Sequence, residues 1–232
     1  MPARTQAGPP ILPSSFSIGG EKPLQYAYAT KRDERAFRSW LESADTSSNP
    51  NVLDALELTK QAFRRWREEK AKGFLAESIE DIKDFIQDNP HAEVGQLVLA
   101  RAPWLKNGTL VGLCHFHRTW SNNIFIDYLA MHPRLVRKPS VPLRGVGTAL
   151  LYYVACVAAE IGADAIWGET TQNSAPFYRR AFGRQDIKDM IYLNREEYSA
   201  FKGRIEEKLR PAPQPVAEPE PAARKSETKS EG

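Results

Sequence analysis

Apolar residues recur with a helical spacing early in the chain, with a strand-like spacing from Val94 to Met131, and with a helical spacing again after Val146. Leu24 to Thr30 alternates well enough to predict an opening strand, and from Lys31 to Ala44 the residues Ala36, Phe37, Trp40 and Leu41 share one helical face. Asn49 as cap with Pro50 behind it starts a second helix, in which Leu53, Leu56, Phe63 and Trp66 form a stripe. Lys60, Arg64, Arg65, Arg67 and Lys70 fall off that stripe and read as a solvated basic face, contact with an acidic partner or a cofactor being the other reading. Ser78 and Asp81 resemble a capping box ahead of Ile79, Ile82, Phe85 and Ile86, and Asn89-Pro90 stops that helix.

Gln96 to Ala102 and Leu110 to Arg118 read as strands joined by a turn near Asn107-Gly108, and Asn122-Asn123 turns the chain into a third strand, Ile124 to Met131. Ala165 to Glu169 follows only after the apolar helix Leu150 to Ile161, and a strand–helix–strand connection of that kind makes a parallel pair with a right-handed crossover. Ala175 to Phe182 is a further helix. Ile187 to Leu193 can form one more strand, and Asn194 with Glu197 caps a last helix running toward Leu209. The predicted class is therefore α/β, a mixed, mostly antiparallel central sheet with helices on both faces, in one domain over residues 24–209. Residues 1–23 suit a flexible lead-in, and residues 210–232, rich in Pro, Glu and Lys, suit a disordered tail.

Between the third strand and the apolar helix stands Arg144-Gly145-Val146-Gly147-Thr148-Ala149. Glycines at a loop-to-helix transition favour an anion, because the first helical turn leaves unpaired N–H groups and the positive end of the helix dipole. A dinucleotide fold is excluded by the lack of a third glycine at Leu150, and a nucleotide-hydrolysing loop by the lack of Gly-Lys-Ser/Thr. Arg144, Gly147 and Ala149 match in order the Arg/Gln-x-x-Gly-x-Gly/Ala loop through which the GNAT superfamily of N-acetyltransferases binds acetyl-coenzyme A. Leu129-Ala130-Met131-His132-Pro133 looks like the end of that family's fourth strand, and Ala175-Pro176-Phe177-Tyr178 like the start of the helix after its fifth. The stretch between Met131 and Arg144 is longer than the family's usual linker.

The resemblance, specific over residues 110–193, implies a GNAT-like fold and acetyl transfer from acetyl-CoA to an amine by direct attack in a ternary complex. A non-catalytic acyl-CoA-binding protein of the same fold is the alternative. It implies cofactor contacts from the backbone of Leu129, Ala130 and Met131, from Arg144, Gly145, Val146, Gly147, Thr148 and Ala149, and from Asn173. Tyr178 matches the family's acid: a phenol of pKa about 10 can protonate a departing thiolate of about 8.5. An ammonium acceptor also needs a base, for which Glu169 at a strand end and Asp127 inside an apolar strand are the candidates, Asp127 being either that or a partnered structural carboxylate. His115 and His117 lie on one face of a strand, where a pair can bind metal; with no third ligand in view, satisfied or exposed histidines are expected.

The chain has 232 residues, 41% of them hydrophobic, enough for a sizeable core. Its formal net charge of +3, with both signs interspersed, argues against a nucleic-acid surface and leaves an anionic cofactor open. Cys114 and Cys156 have neither metal nor disulfide spacing and read as buried thiols of a reducing compartment, so a cytoplasmic location is expected, and no membrane span is predicted. The partners expected are a small-molecule or peptide amine and, through the final strand, a second copy in a homodimer.

Overall fold

The period-two stretch between residues 94 and 131 forms three antiparallel strands in the computed structural model, which describes residues 15–16, 18, 22–42, 49–105, 110–132 and 143–209. The turn expected near Asn107-Gly108, most of the stretch between Met131 and Arg144, and the C-terminal tail lie outside the described residues. Strands β1 (Ser15–Phe16), β2 (Leu24–Tyr28), β3 (Val94–Arg101), β4 (Leu110–Arg118), β5 (Ile124–Met131), β6 (Ala165–Glu169) and β7 (Met190–Asn194) lie side by side in chain order. All neighbours are antiparallel except β5 and β6, which the helical crossover makes parallel. The mixed sheet expected from the sequence is thus present. Ser15 and Phe16, assigned above to a lead-in, pair with Gln25 and Leu24 and occupy the edge of β2.

Helix α1 (Glu34–Glu42) follows a 3-10 turn, Lys31–Asp33, in which Asp33 accepts from both the backbone N–H and the hydroxyl of Thr30. Helix α2 (Pro50–Lys72) is capped by Asn49, whose side chain accepts from Asn51 N–H at 3.0 Å. Together they cover one sheet face: Phe37, Trp40, Ala62, Phe63 and Trp66 pack on Leu97, Leu99 and Leu113. Each Phe and Leu side chain among these contributes roughly 1.5–3 kcal/mol of burial.

Helices α3 (Ile79–Asp88), α4 (Val146–Glu160), α5 (Ala175–Phe182) and α6 (Arg195–Leu209) supply the opposite face. Ser78 caps α3 by accepting from Asp81 N–H at 2.9 Å, and the Asp81 carboxylate accepts from Glu77 N–H at 3.0 Å. The apolar stretch read from the sequence is α4, buried nearly all round because strands lie on one side and α6 on the other. Cys114 and Cys156 are free and buried. The last strand is shorter than expected: Ile187 is buried ahead of β7 and outside it. Among the described residues no helix is long and apolar enough to cross a membrane.

Candidate active site

The site begins where two parallel strands part. Ile124, Phe125 and Ile126 of β5 pair with Ile166, Trp167 and Gly168 of β6, and the ladder stops there. β5 nevertheless runs on to Met131 along β4. The His132 N–H donates to the Val111 carbonyl at 3.0 Å, so by the alternation of an antiparallel ladder the N–H groups of Leu129 and Met131 point away from β4. They face the opening left by β6, with no ladder partner among the described residues.

A bulge sets this geometry. His115 is opposite Tyr128 while Phe116 is opposite Ile126, so Asp127 is the extra residue of β5. One extra residue inverts the faces: Ile124 and Ile126 pack on the α4 side, whereas Tyr128 and Ala130 pack on the α2 side. Leu129 and Met131 consequently turn their side chains toward α4.

The N-terminus of α4 has Gly145 as its cap at φ +78°. A side chain there is strained, and a Cβ would stand 1.8 Å from the Ile18 carbonyl oxygen. The first helical bond of α4 is Ala149 N–H to the Gly145 carbonyl at 2.8 Å, which leaves the amides of Val146, Gly147 and Thr148 for another acceptor. Val146 and Ala149 are buried, Thr148 half-buried and Arg144 exposed. Gly147 has a packing reason beyond the close phosphate approach expected of it, since a Cβ would lie 2.8 Å from the Phe177 ring of α5. Helix-start amides with no acceptor among the described residues, beside an exposed arginine, fit a pyrophosphate.

Tyr178 is 5% exposed, edge-on to Phe177 at 5.0 Å and stacked with Phe182 at 6.2 Å. Burial pushes its phenol pKa well up, so the proton stays on oxygen. Asn173 is exposed and donates to the Asp54 carboxylate of α2 at 2.7 Å, a tie between helix and loop. Glu169 is exposed at the end of β6, where its backbone pairs with Met190, and its side chain makes no hydrogen bond or ion pair among the described residues.

Asp127 is the centre of a cluster that local sequence did not disclose. Its side chain is 3% exposed; Oδ1 is 2.9 Å from Arg65 Nη1, and Oδ2 is 2.9 Å from His115 Nδ1 and 2.7 Å from His117 Nδ1. His115 Nε2 is in turn 2.8 Å from Glu69 Oε2, and Arg65 Nε 2.8 Å from Glu69 Oε1. Burial alone would raise the Asp127 pKa, but the hydrogen bonds and charges of the histidines outweigh it and bring it down to about 2. The same balance holds Glu69 below the usual carboxylate range, and holds His115, buried between two carboxylates, above the usual imidazole value. The base role considered for Asp127 is therefore not supported: a carboxylate with three cationic or N–H partners has little affinity for a proton. The solvated basic face expected on α2 is likewise corrected at Arg65, which turns into the cluster. His115 is bonded at both ring nitrogens and His117 at Nδ1.

Parallel strands that part beside a helix N-terminus leave room for an extended ligand with an anionic end. Residues 56–183 match the model of the Acetyltransferase (GNAT) family, more than half of the chain, and the chain belongs to that family. No curated protein matches the sequence. Among solved structures, it is similar to a GNAT-family acetyltransferase from Staphylococcus aureus Mu50, with 13% identity over 74% of this chain and 99% of that one, at a TM-score of 0.41. It is also similar to a GNAT-family acetyltransferase from Brucella melitensis in complex with acetyl-CoA, with 12% identity over 74% of this chain and 87% of that one, at a TM-score of 0.42. A nourseothricin acetyltransferase shares 23% identity over 37% of this chain and 48% of its own, at a TM-score of 0.30.

Proposed function

We propose that the protein transfers the acetyl group of acetyl-CoA to the amine of a small molecule or peptide, by direct attack in a ternary complex. The observation that carries this reading is the opening between β5 and β6, into which two ladder-free N–H groups, those of Leu129 and Met131, point beside the N-terminus of α4. The α4 amides and Arg144 would hold the pyrophosphate of the donor, and the Leu129 and Met131 amides would stabilise the thioester oxygen as negative charge develops on it. Asn173 is tied to Asp54, so its share in donor binding would require that bond to open.

Tyr178 would donate to the departing sulfur; its burial keeps it protonated, and the same enclosure disfavours a free thiolate. No acyl-cysteine is needed. Cys114 is fully buried with its thiol pKa pushed up, and Cys156 is buried in α4, so neither supplies a reactive thiolate. Glu169 is exposed and its side chain has no orienting partner among the described residues, which suits it to meeting a cationic acceptor better than to directed proton transfer. Two buried free thiols suit a reducing, cytoplasmic setting.

Incubation with acetyl-CoA and a panel of amines, with mass detection of acetylated product and of released coenzyme A, tests the reading. Acetylated amine in step with coenzyme A release is expected. Tight acetyl-CoA binding with no release for any amine would instead establish a non-catalytic acyl-CoA-binding protein.

A further inference from the structure

His117 and Asp127 form a hydrogen-bonded pair with an open end. An ionised carboxylate can only accept, so the proton of the 2.7 Å contact sits on His117 Nδ1, and a neutral ring then carries its lone pair on Nε2. Among the described residues Nε2 makes no hydrogen bond, and the side chain, 14% exposed, is in reach of solvent. Asp127 in turn is fixed by Arg65 and by His115, which Glu69 holds from its far side. A base, its orienting carboxylate and a scaffold that immobilises the carboxylate are the parts of an activated proton acceptor.

Their place in the sheet matters as much. His117 is opposite Phe125, and Phe125 opposite Trp167, in the row just before the last paired row of β5 and β6. Asp127 is the first residue past that row, and Leu129, whose N–H faces the opening, lies two residues further, roughly 7 Å of strand. The groups around the ring are Asp127 from β5, Arg65 and Glu69 from α2, and His115 from its own strand, with Phe125 and Trp167 as the apolar flank and Glu169 two residues beyond Trp167 on β6.

We propose that His117 is the general base of the transfer, with Asp127 orienting its ring. The inference rests on the reading that an amine is the acceptor. One proton passes from the ammonium to Nε2, directly or through one water, and from there to solvent; Asp127 offsets the charge of the imidazolium. The freed nitrogen lone pair forms the bond to the thioester carbon. When the intermediate collapses, the C–S bond breaks, sulfur takes the Tyr178 proton, and the second proton of the nitrogen restores the phenol.

The test uses the full chain, acetyl-CoA and an amine that the wild type acetylates, with kcat/KM measured across pH for His117→Gln, His117→Ala and Glu169→Gln. At neutral pH both histidine variants are expected to lose about 100-fold or more, the loss shrinking as pH rises and free amine accumulates. Imidazole in the buffer should restore part of the activity of His117→Ala. Acetyl-CoA affinity should stay at the wild-type value and melting should remain cooperative, which separates lost chemistry from lost fold. Losing the bond to Asp127 lowers the melting temperature, less in His117→Gln than in His117→Ala, and Glu169→Gln should raise the acceptor KM while keeping the shape of the wild-type pH profile. Wild-type kcat/KM and pH profile in His117→Gln would overturn the proposal, as would a pH-dependent loss confined to Glu169→Gln. A wild type that binds acetyl-CoA and acetylates no amine would overturn the parent reading itself, a result visible before any variant is made.

Discussion

Gly95→Ala is a one-methyl change that should disable part of the charged cluster without touching a charged residue. A Cβ at this position of β3 would stand 1.9 Å from Glu69 Oε2 and 2.5 Å from its carboxyl carbon. Reaching an ordinary contact of about 3.5 Å requires the carboxylate to retreat by roughly 1.5 Å. The 2.8 Å bond to His115 Nε2 cannot survive that shift, and His115 is fully buried, so water does not replace it. An orphaned buried donor costs about 1–3 kcal/mol, against about 0.5–1 kcal/mol gained by replacing glycine inside a strand. For a domain of this size a net loss of about 1–2 kcal/mol lowers the melting temperature by roughly 2–8 °C.

The pH dependence of that loss is more diagnostic than its size. Burial disfavours a charged His115, but the hydrogen bonds of Asp127 and Glu69 outweigh it, so the folded-state pKa lies above the unfolded one. This stabilisation is complete below the unfolded value of about 6.5 and is lost as pH rises through the folded value. Wild-type stability should therefore fall from neutral toward alkaline pH, and that fall should be shallower in Gly95→Ala. On the acid side Asp127 works the other way: with its pKa brought down to about 2, its contribution is present above the unfolded value of 3.8 and fades as pH falls toward 2. That acid limb should remain in the variant, reduced by the share of Glu69, whose pKa is also lowered. Denaturant melts at a series of pH values measure both limbs. An unchanged melting temperature with an unchanged alkaline limb would refute the reasoning, because it would mean that Glu69 holds nothing.

Gly147→Asp should push the Phe177 ring aside and place a carboxylate at the α4 N-terminus, raising the acetyl-CoA Kd at least tenfold; calorimetry on the folded variant checks this. Tyr178→Phe keeps the stack with Phe182 and should lower kcat by about 100-fold or more, with KM for acetyl-CoA little changed; steady-state kinetics decide it. Asp127→Asn removes the charge that Arg65 and two histidines share and should destabilise the fold by about 3–5 kcal/mol, read from urea midpoints.

The fold was legible because its signals are local. Alternation located β3, β4 and β5, the all-apolar run located α4, and the helix between β5 and β6 made that pair parallel. The glycine loop was legible for the same reason, since φ +78° at Gly145 is a property of one residue and its neighbours. Gly147 shows the boundary: its open contact is with Phe177, a residue of another helix, and no local pattern announces that.

The cluster at Asp127 fell beyond local reading for a physical reason. A carboxylate inside a buried strand must find cations or N–H donors, and that much the run Ile124-Phe125-Ile126-Asp127 does state. Which donors it finds depends on how α2 crosses the sheet. Ala62, Arg65, Trp66 and Glu69 are spaced as one helical stripe, so Arg65 and Glu69 continue the buried face of α2 where it leaves Leu113 and crosses His115. Arg65 falls off the stripe of Leu53, Leu56, Phe63 and Trp66, but it lies on the stripe of Ala62, Trp66 and Glu69 that faces the sheet at His115. The polar stripe and the bulge then explain each other. The extra residue swings Asp127 to the α2 side, where only a charged stretch of that helix could accept it, and the same inversion turns Leu129 and Met131 toward α4. Ion pairing on one face of β5 and the turn of Leu129 and Met131 toward α4 on the other thus follow from a single added residue.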